Sequence, residues 1–353
     1  MTNGEIMKRL ALVLMVCAAW CYGMRDVSLY LVQPTNERPV IDGELVDAAW
    51  ATAPKHRSYY VYFKAEPGRS PLISSFAMCY DDKGVYLAIE NFDENISSLR
   101  KTMTDRDNPN LWLDDCAELY IDPSGSSIGF IKFTVNSLGT FRDEKRIDAS
   151  VTEPNWNSCS TVIKSKIFGD KWTIEAFFSW DDMGRVAKAG DVWRFCHVRY
   201  AFSSGAFIGA TSSPGGNYSA TDCFGFLRFM SKDEKLDMDA IGGLLTPLVS
   251  PPWGMEVNGI LLHNFGKGFQ KREISEMVMD SMKRVKSLVE DDDIKNSVFV
   301  KVRDELLDRG KTALEQSESS FDRYKELSKL AEELYEFKWK SKLEADFNTI
   351  VKK

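Results

Sequence analysis

The sequence predicts a mainly β chain: an antiparallel β-sandwich followed by a small C-terminal α-helical bundle. Between residues 27 and 230, short runs of alternating apolar and polar residues are separated by turn signals, a pattern typical of sandwiches. From residue 272 onward the chain becomes charged, and its apolar residues recur at the helical spacing. A length of 353 residues is sufficient for two such domains.

The first residues, 1–23, are predicted to be a signal peptide. Lys8 and Arg9 precede an apolar run over residues 10–21, which is short for a membrane span. Cleavage near Gly23 would release a mature chain without a membrane span, and we expect that chain to be secreted, extracellular or periplasmic. A membrane anchor formed by the same run, or a lipid on Cys17, is the alternative.

The mature chain would keep an odd number of cysteines, so at least one thiol stays free. They are Cys79, Cys116, Cys159, Cys196 and Cys223. Three of them, Cys79, Cys116 and Cys196, fall inside predicted strands, where a cysteine is usually a small buried hydrophobe. The cysteine and histidine spacing predicts no zinc site.

The predicted sandwich domain covers residues 24–230. Its strands are predicted at 27–32, 74–80, 85–91, 116–121, 130–136, 161–167, 172–178, 193–202 and 224–229. Turn sequences such as Asp81-Asp82-Lys83-Gly84 and Gly169-Asp170 separate them.

Residues 111–123 are the stretch around which this domain is expected to be organised. An indole at Trp112 and the acids Asp114 and Asp115 precede an alternating strand. Its apolar face consists of Ala117, Leu119 and Ile121. If the next strand pairs with it, one polar face carries Glu118, Lys132, Thr134 and Asn136 near Trp112. An aromatic ring beside hydrogen-bonding groups is suited to a sugar, which offers both C–H faces and hydroxyls.

Several motifs in this order resemble the family 9 carbohydrate-binding modules and the related DOMON sandwiches, over roughly residues 27–230. They are Ile41-Asp42-Gly43-Glu44 with Trp50, Val85-Tyr86-Leu87-Ala88-Ile89, Asp115-Cys116-Ala117-Glu118-Leu119-Tyr120-Ile121-Asp122, Trp172-Thr173-Ile174-Glu175-Ala176, Trp193-Arg194-Phe195 with Arg199, and Phe224-Gly225-Phe226-Leu227. The resemblance implies a β-sandwich, in agreement with the strand pattern.

The resemblance also implies a binding site in which two aromatic rings clamp a sugar of a polysaccharide or oligosaccharide. Trp112 and Tyr218 occupy the matching positions, and the alternative is that both are ordinary core or loop aromatics. Glu118 and Asn136 are then expected to bond the sugar hydroxyls, with Lys132 as a helper. The implied role is non-catalytic carbohydrate binding, which could accompany glycoside hydrolysis by another protein.

One residue departs from the family pattern. Thr134 stands where better-studied members carry an arginine, which removes a charged donor to a sugar oxygen. Binding of a reducing-end sugar is therefore not implied. A degenerate copy of the fold, acting as a scaffold or interaction protein, is an open alternative.

Acidic loops suggest structural calcium, which family members often hold. Asp93 and Asp115 are the candidate ligands, because calcium prefers carboxylate oxygens. The loops do not match an EF-hand, and acids in surface turns often simply face water.

Other functions are less well supported by the residues. A net charge of −7 argues against nucleic-acid binding. Glu118 with Asp115 or Glu175 could be taken for a glycosidase pair, but no spacing fixes their separation. Non-covalent haem binding in an electron-transfer module is a rival from another class. Its candidate axial ligands are Met78, Met103, Met183 and His197.

After the sandwich, residues 231–268 are predicted to be a linker or an irregular arm, because glycines and prolines interrupt any long element. Residues 269–353 are predicted to form the helical bundle, with the last helix starting at Ser319-Ser320-Phe321-Asp322. We expect this bundle to stabilise the protein or to mediate self-association or binding of a protein partner.

Overall fold

A computed structural model describes residues 24–62, 68–148, 150–153, 155–217, 220–316 and 320–351. The predicted signal peptide lies outside the described residues. The chain divides into two compact units, Val27–Lys235 and a second that joins Leu236–Lys353 to the N-terminal residues through Asp26.

The strands, in chain order, are β1 Arg25–Asp26, β2 Leu29–Pro34, β3 Lys55–His56, β4 Tyr60–Val61, β5 Ser74–Tyr80, β6 Gly84–Phe92, β7 Cys116–Asp122, β8 Phe130–Asn136, β9 Phe141–Arg146, β10 Val162–Ile167, β11 Lys171–Ser179, β12 Val192–Ala201, β13 Ile208–Thr211, β14 Gly225–Phe229, β15 Trp253–Val257, β16 Ile260–Asn264 and β17 Phe269–Glu273. The helices are α1 Ala48–Thr52, α2 Trp180–Met183, α3 Met238–Leu245, α4 Ile274–Val289, α5 Asp292–Lys295, α6 Val300–Glu315 and α7 Phe321–Val351.

The first unit is built on one large, mostly antiparallel sheet. Its main path runs β10-β11-β6-β5-β2-β14-β12-β7-β8-β9, and β13 and β3 pair with β12 and β5 beside it. Side chains from both halves of this path share one hydrophobic core: Phe76, Leu87, Ile174, Leu119, Phe133 and Phe195. The sheet therefore nearly closes on itself, as the sequence predicted for a sandwich.

Each predicted strand is present, with ends shifted by at most a few residues. The structure adds strands that the alternation did not predict, including β9 and β13. Strand β9 reads Phe-Arg-Asp-Glu-Lys-Arg, so its pattern is charged on both faces. It lies at the end of the sheet path, where one side of a strand needs no partner and polar residues are tolerated.

A buried carboxylate explains the motif at residues 41–50. Glu175 on β11 accepts hydrogen bonds from the backbone N–H groups of Asp42 and Gly43, both at 2.9 Å. Its second oxygen accepts the indole N–H of Trp50 at 2.7 Å. This one side chain fastens the segment before α1 to the sheet.

A close backbone approach explains the glycine of the Phe224-Gly225 motif. A Cβ atom at Gly225 would lie 2.4 Å from Cε2 of Tyr30. The hydroxyl of Tyr30 lies 2.7 Å from Oγ of Ser213, so the ring has little freedom to move away. Only glycine allows β14 to pass this ring without displacement.

The described cysteines are free thiols. Cys79, Cys116 and Cys196 are buried in β5, β7 and β12, as the strand pattern predicted. They act as small hydrophobic residues in the packed sheet.

The second unit corrects the prediction for residues 231–268. Instead of an irregular arm, this interval contains α3, β15 and β16. Strands β15, β16 and β17 form an antiparallel sheet to which β1 adds in parallel. The helix is short and the strands are joined by tight turns, which is why the glycines and prolines concealed them from the sequence pattern.

The C-terminal helices share a hydrophobic core. Its members include Met277, Val285, Leu306, Leu327, Ala331 and Leu334, which belong to the apolar stripes found in the sequence. Helix α7 begins where Oγ of Ser320 accepts the N–H of Arg323 at 3.1 Å, an N-terminal cap. Among the described helices, none is long and apolar enough to cross a membrane.

Candidate functional site

The candidate site is the face of the β7–β8–β9 part of the sheet that points away from the main core, called here the outer face. Its β7 and β8 side chains are buried apart from Lys132, and its β9 side chains are partly exposed. Register pairs Glu118 with Thr134 and Cys116 with Asn136, so these side chains share a face. Residues directly opposite in an antiparallel pair point to the same side. The structure therefore brings together Glu118, Lys132, Thr134 and Asn136, as predicted.

Glu118 forms the floor of this face rather than an open group. Its side chain is only 3% exposed and pairs with Lys132, with Nζ 2.6 Å from Oε1. Its other oxygen accepts the hydroxyl hydrogen bond of Tyr120. Burial raises the pKa of Tyr120 well above its ordinary value, and the neighbouring Glu118 raises it further. At neutral pH the phenol therefore stays protonated and donates to Glu118.

Asn136 is committed to holding a loop. Its Nδ2 donates to the carbonyl of Met103 at 2.8 Å and to Oδ2 of Asp114 at 2.9 Å. Its Oδ1 accepts the N–H groups of Leu138 and Thr140. Both donor hydrogens and both lone pairs of the amide are thus used. The expected bond to a sugar hydroxyl is corrected: Asn136 shapes the edge of the face instead.

Asp114 connects this edge to the turn that carries the predicted aromatic residue. It accepts the backbone N–H groups of Thr102 and Met103 as well as the Asn136 amide. Burial opposes ionisation of this carboxyl, but these donors outweigh burial and hold its pKa below the usual value. The ionised carboxylate therefore fixes where the preceding turn sits.

Trp112 lies in that turn, a single 3₁₀ turn over Leu111–Leu113. Leu111 is buried and anchors the turn, whereas Trp112 is 47% exposed. An exposed indole next to hydrogen-bonding groups has the flat apolar ring on which a sugar can stack. The structure thus places Trp112 at the Asn136 end of the candidate face.

Tyr218, the second predicted aromatic, lies outside the described residues. The loop that leads to it passes over β12, because Oγ1 of Thr211 bonds both Sγ of Cys196 and the carbonyl of Gly216. Cys196 is opposite Tyr120 in the register of β12 and β7. The described part of this loop therefore borders the same face.

An aromatic cluster that the sequence analysis did not single out lines one side of the face. The Tyr62 and Tyr200 rings lie 5.7 Å apart, and Phe207 contacts both Tyr200 and Phe202 with ring centroids at 5.3 Å. The guanidinium of Arg100 lies 4.7 Å from the Phe202 ring centroid. Tyr200 and Phe202 alternate at the end of the strand predicted at 193–202, and this spacing was the signal that could have identified this surface.

The two calcium candidates have other partners. Asp93 pairs with the buried Arg199, with Nη2 2.8 Å from Oδ2. Asp115 accepts the backbone N–H groups of Arg100 and Phe202. Burial raises the pKa of Asp115, an effect that nearby Asp93 strengthens. Over the described residues, no group of three or more His, Cys, Asp or Glu side chains could hold a metal ion, so calcium stays a prediction.

Most of the residues weighed for catalysis and haem have partners within the described fold. Glu175 is occupied by the segment around Trp50, and Glu118 by Lys132 and Tyr120. Met78 and Met183 are packed in the core. The buried Nδ1 of His197 lies 2.7 Å from the Tyr59 hydroxyl, and burial lowers its pKa to about 3. These groups have structural roles in the described fold.

Comparison with known families decides the assignment of the first unit. The protein-family model described as carbohydrate family 9 binding domain-like matches residues 41–231, which is more than half of the chain. The chain belongs to this family. Its carbohydrate family 9 domain thus contains the outer face with Trp112, Glu118 and Lys132.

Solved structures include similar family 9 modules. One, from Caldicellulosiruptor kristjanssonii in complex with cellotriose, shares 16% identity and covers 58% of this chain and 95% of its own, with a TM-score of 0.43. The module from the same organism in complex with glucose shares 16% identity over 59% of this chain and 99% of its own, with a TM-score of 0.42. No curated protein matched.

Proposed function

We propose that the carbohydrate family 9 domain is a non-catalytic binding module that stacks a sugar ring on Trp112. The exposed indole of Trp112 beside a polar sheet face carries this proposal. Lys132 supplies a charged donor to the sugar, and Glu118 orients that lysine through the 2.6 Å ion pair. Tyr218 is proposed as the second stacking ring, since the loop before it borders the same face.

The energetics favour weak binding. If each ring loses roughly 100 Å² of apolar surface to the sugar, burial contributes about 2.5 kcal/mol per ring. Association costs of roughly 4 kcal/mol or more offset most of this gain. Hydrogen bonds must supply the remainder, so we expect dissociation constants in the micromolar to millimolar range.

The test is titration of purified residues 24–353 with a panel of oligosaccharides and soluble polysaccharides that includes cellotriose and glucose. We expect Trp112→Ala to weaken binding of the responsive glycan by about tenfold or more, because one stacking ring is lost. Val186→Ala removes another exposed apolar side chain and should leave binding unchanged. Circular dichroism spectra would show that both variants fold.

Two results would contradict the proposal. One is the absence of binding to any glycan by the folded protein. The other is binding that Trp112→Ala leaves at full strength, since the ring would then lie outside the site.

We also propose that the mature protein is secreted. The charged and apolar composition of residues 1–23 supports export. Membership of a carbohydrate-binding family is consistent with a location outside the cell, where polysaccharides are found. Release of a mature chain that begins near residue 24, detected by mass spectrometry of the culture medium or periplasm, is the corresponding measurement.

The C-terminal helices are proposed as a surface for self-association. Leu343 and Phe347 are 67% and 61% exposed and are spaced four residues apart on α7, so they lie on the same side of the helix. These two neighbouring side chains form a contiguous exposed apolar surface, the kind of feature that marks an interaction site when it is extended. A second copy of this chain is the occupant that we propose.

A further inference from the structure

The outer face of β7–β8–β9 contains more charge than its sequence suggested. Register places Arg142 opposite Thr134, Glu144 opposite Lys132, and Arg146 opposite Phe130. The three β9 side chains therefore project from the same face as Glu118. Arg142 lies directly opposite Thr134 and diagonally across from Lys132.

The acceptors on this face are already engaged by the protein. The oxygens of Glu118 pair with Lys132 and Tyr120. Those of Glu144 pair with Nη2 of Arg142 at 2.9 Å and with Nε of Arg146 at 3.3 Å. Every carboxylate oxygen of the face thus has a donor within the domain.

The donors, by contrast, are in excess. Arginine has five N–H groups, and Arg142 uses its Nη2 alone for a hydrogen bond to the described residues. Its side chain is 37% exposed, against 11% for that of its partner Glu144. The cations therefore lie outward and the carboxylates inward. The strand positions of this face carry three cationic side chains and two carboxylates, a positive balance on a protein of net charge −7.

We propose that this face selects a sugar that carries a carboxylate, a uronic acid, through Arg142 with Lys132. This inference rests on the proposed function, since the same sugar would stack on Trp112. A planar carboxylate accepts two parallel hydrogen bonds from a guanidinium, and such charge-assisted bonds are stronger than neutral ones. A neutral sugar hydroxyl would gain less binding energy. Its hydrogen needs an acceptor, and the carboxylate oxygens of this face are already hydrogen-bonded within the domain.

The experiment compares matched glycans that differ in the carboxylate alone. Residues 24–353 would be titrated calorimetrically with oligogalacturonides and their methyl esters, and with cellouronates and the corresponding cello-oligosaccharides. We expect at least one uronate to bind about tenfold or more tightly than its neutral counterpart. Raising the salt concentration from ~50 to ~500 mM should reduce this preference, because the charges are partly exposed.

Variants assign the preference to Arg142. Arg142→Gln should reduce the uronate preference to about twofold or less while binding of the neutral glycan changes little. Arg142→Lys should keep an intermediate preference, since the charge remains but the fork geometry is lost. Arg185→Gln, which removes an exposed arginine paired with Asp191 elsewhere in the domain, is the matched control and should behave as the parent protein.

The outcomes separate this inference from the proposed function. Equal binding of the neutral and charged glycans, or an unchanged preference in Arg142→Gln, overturns the uronate inference and leaves sugar binding intact. Failure to bind any glycan of the wider panel overturns both. Uronate binding that keeps its full strength in Trp112→Ala but loses its preference in Arg142→Gln would support Arg142 and contradict stacking on Trp112.

Discussion

At the scale of single residues, burial decides how a side chain can be used. Glu118 and Asn136 were both expected to bond a sugar, and both lie on the predicted face. Asn136 is buried with its amide fully bonded, whereas Glu118 reaches the surface only through its partner Lys132. Alternation identifies the face of a strand, but it cannot show how many hydrogen bonds the protein itself already makes there.

The buried imidazole of His197 is expected to make the stability of the domain depend on pH. It is buried against Tyr59, and desolvation, with Arg199 nearby, lowers its pKa from 6.5 to about 3. The unfolded chain takes up a proton near pH 6.5 and the native domain does not. The stability from the neutral imidazole is therefore complete above pH 6.5 and is lost as the pH falls from there towards 3.

When the pH is lowered from 7 to 5, we expect His197 to reduce the free energy of unfolding by at most about 2 kcal/mol. Urea unfolding at a series of pH values would measure this loss. His197→Gln cannot take up a proton, so the difference between parent and variant isolates the histidine from the carboxylates. A parent and variant that lose equal stability between pH 7 and pH 5 would show that His197 protonates freely in the native state.

At the scale of elements, strand register creates the site and the motifs fasten it. Strand β9 escaped the sequence analysis because its charges alternate with other charges rather than with apolar residues. Its pairing with β8 nevertheless places Arg142 beside Thr134. The motif around Trp50 was visible in the sequence, but its partner Glu175 lies far along the chain and was recognised only within another motif and as a possible member of a glycosidase pair.

Removing that partner should detach the segment before α1. Glu175→Ala leaves the N–H groups of Asp42 and Gly43 and the Trp50 indole without an acceptor in a buried site. We expect the free energy of unfolding to fall by roughly 2–4 kcal/mol. Glu44→Ala in the same segment removes an exposed partner of Lys166 and should change stability by less than about 1 kcal/mol. Denaturant unfolding of both variants makes the comparison, and equal effects would refute the anchoring role.

At the scale of the whole molecule, the chain combines a carbohydrate family 9 domain with a unit that has its own sheet and helices. Leu343 and Phe347 are exposed apolar residues on α7, so the prediction at this scale concerns the oligomeric state of the full chain. We expect sedimentation velocity of residues 24–353 to show a monomer–dimer equilibrium, because covering these side chains removes apolar surface from water.

Leu343→Asp should shift this equilibrium to monomer, since pairing would bury a charge. Val186→Asp, at an exposed position of the other unit, is the control and should leave it unchanged. A parent protein that remains monomeric at high concentration, or a dimer that tolerates Leu343→Asp, would contradict self-association through α7.

The sequence by itself determined the sandwich, most of its strands, the C-terminal helical segments and the polar face beside Trp112. These depend on local periodicity, which is set by strand and helix geometry. Tertiary structure alone decided that the Asn136 amide is fully hydrogen-bonded within the domain, that Asp93 pairs with Arg199, and that Arg142 stands next to Thr134. Each of these depends on which distant residues meet, because hydrogen bonds and charges act between neighbours in space rather than along the chain.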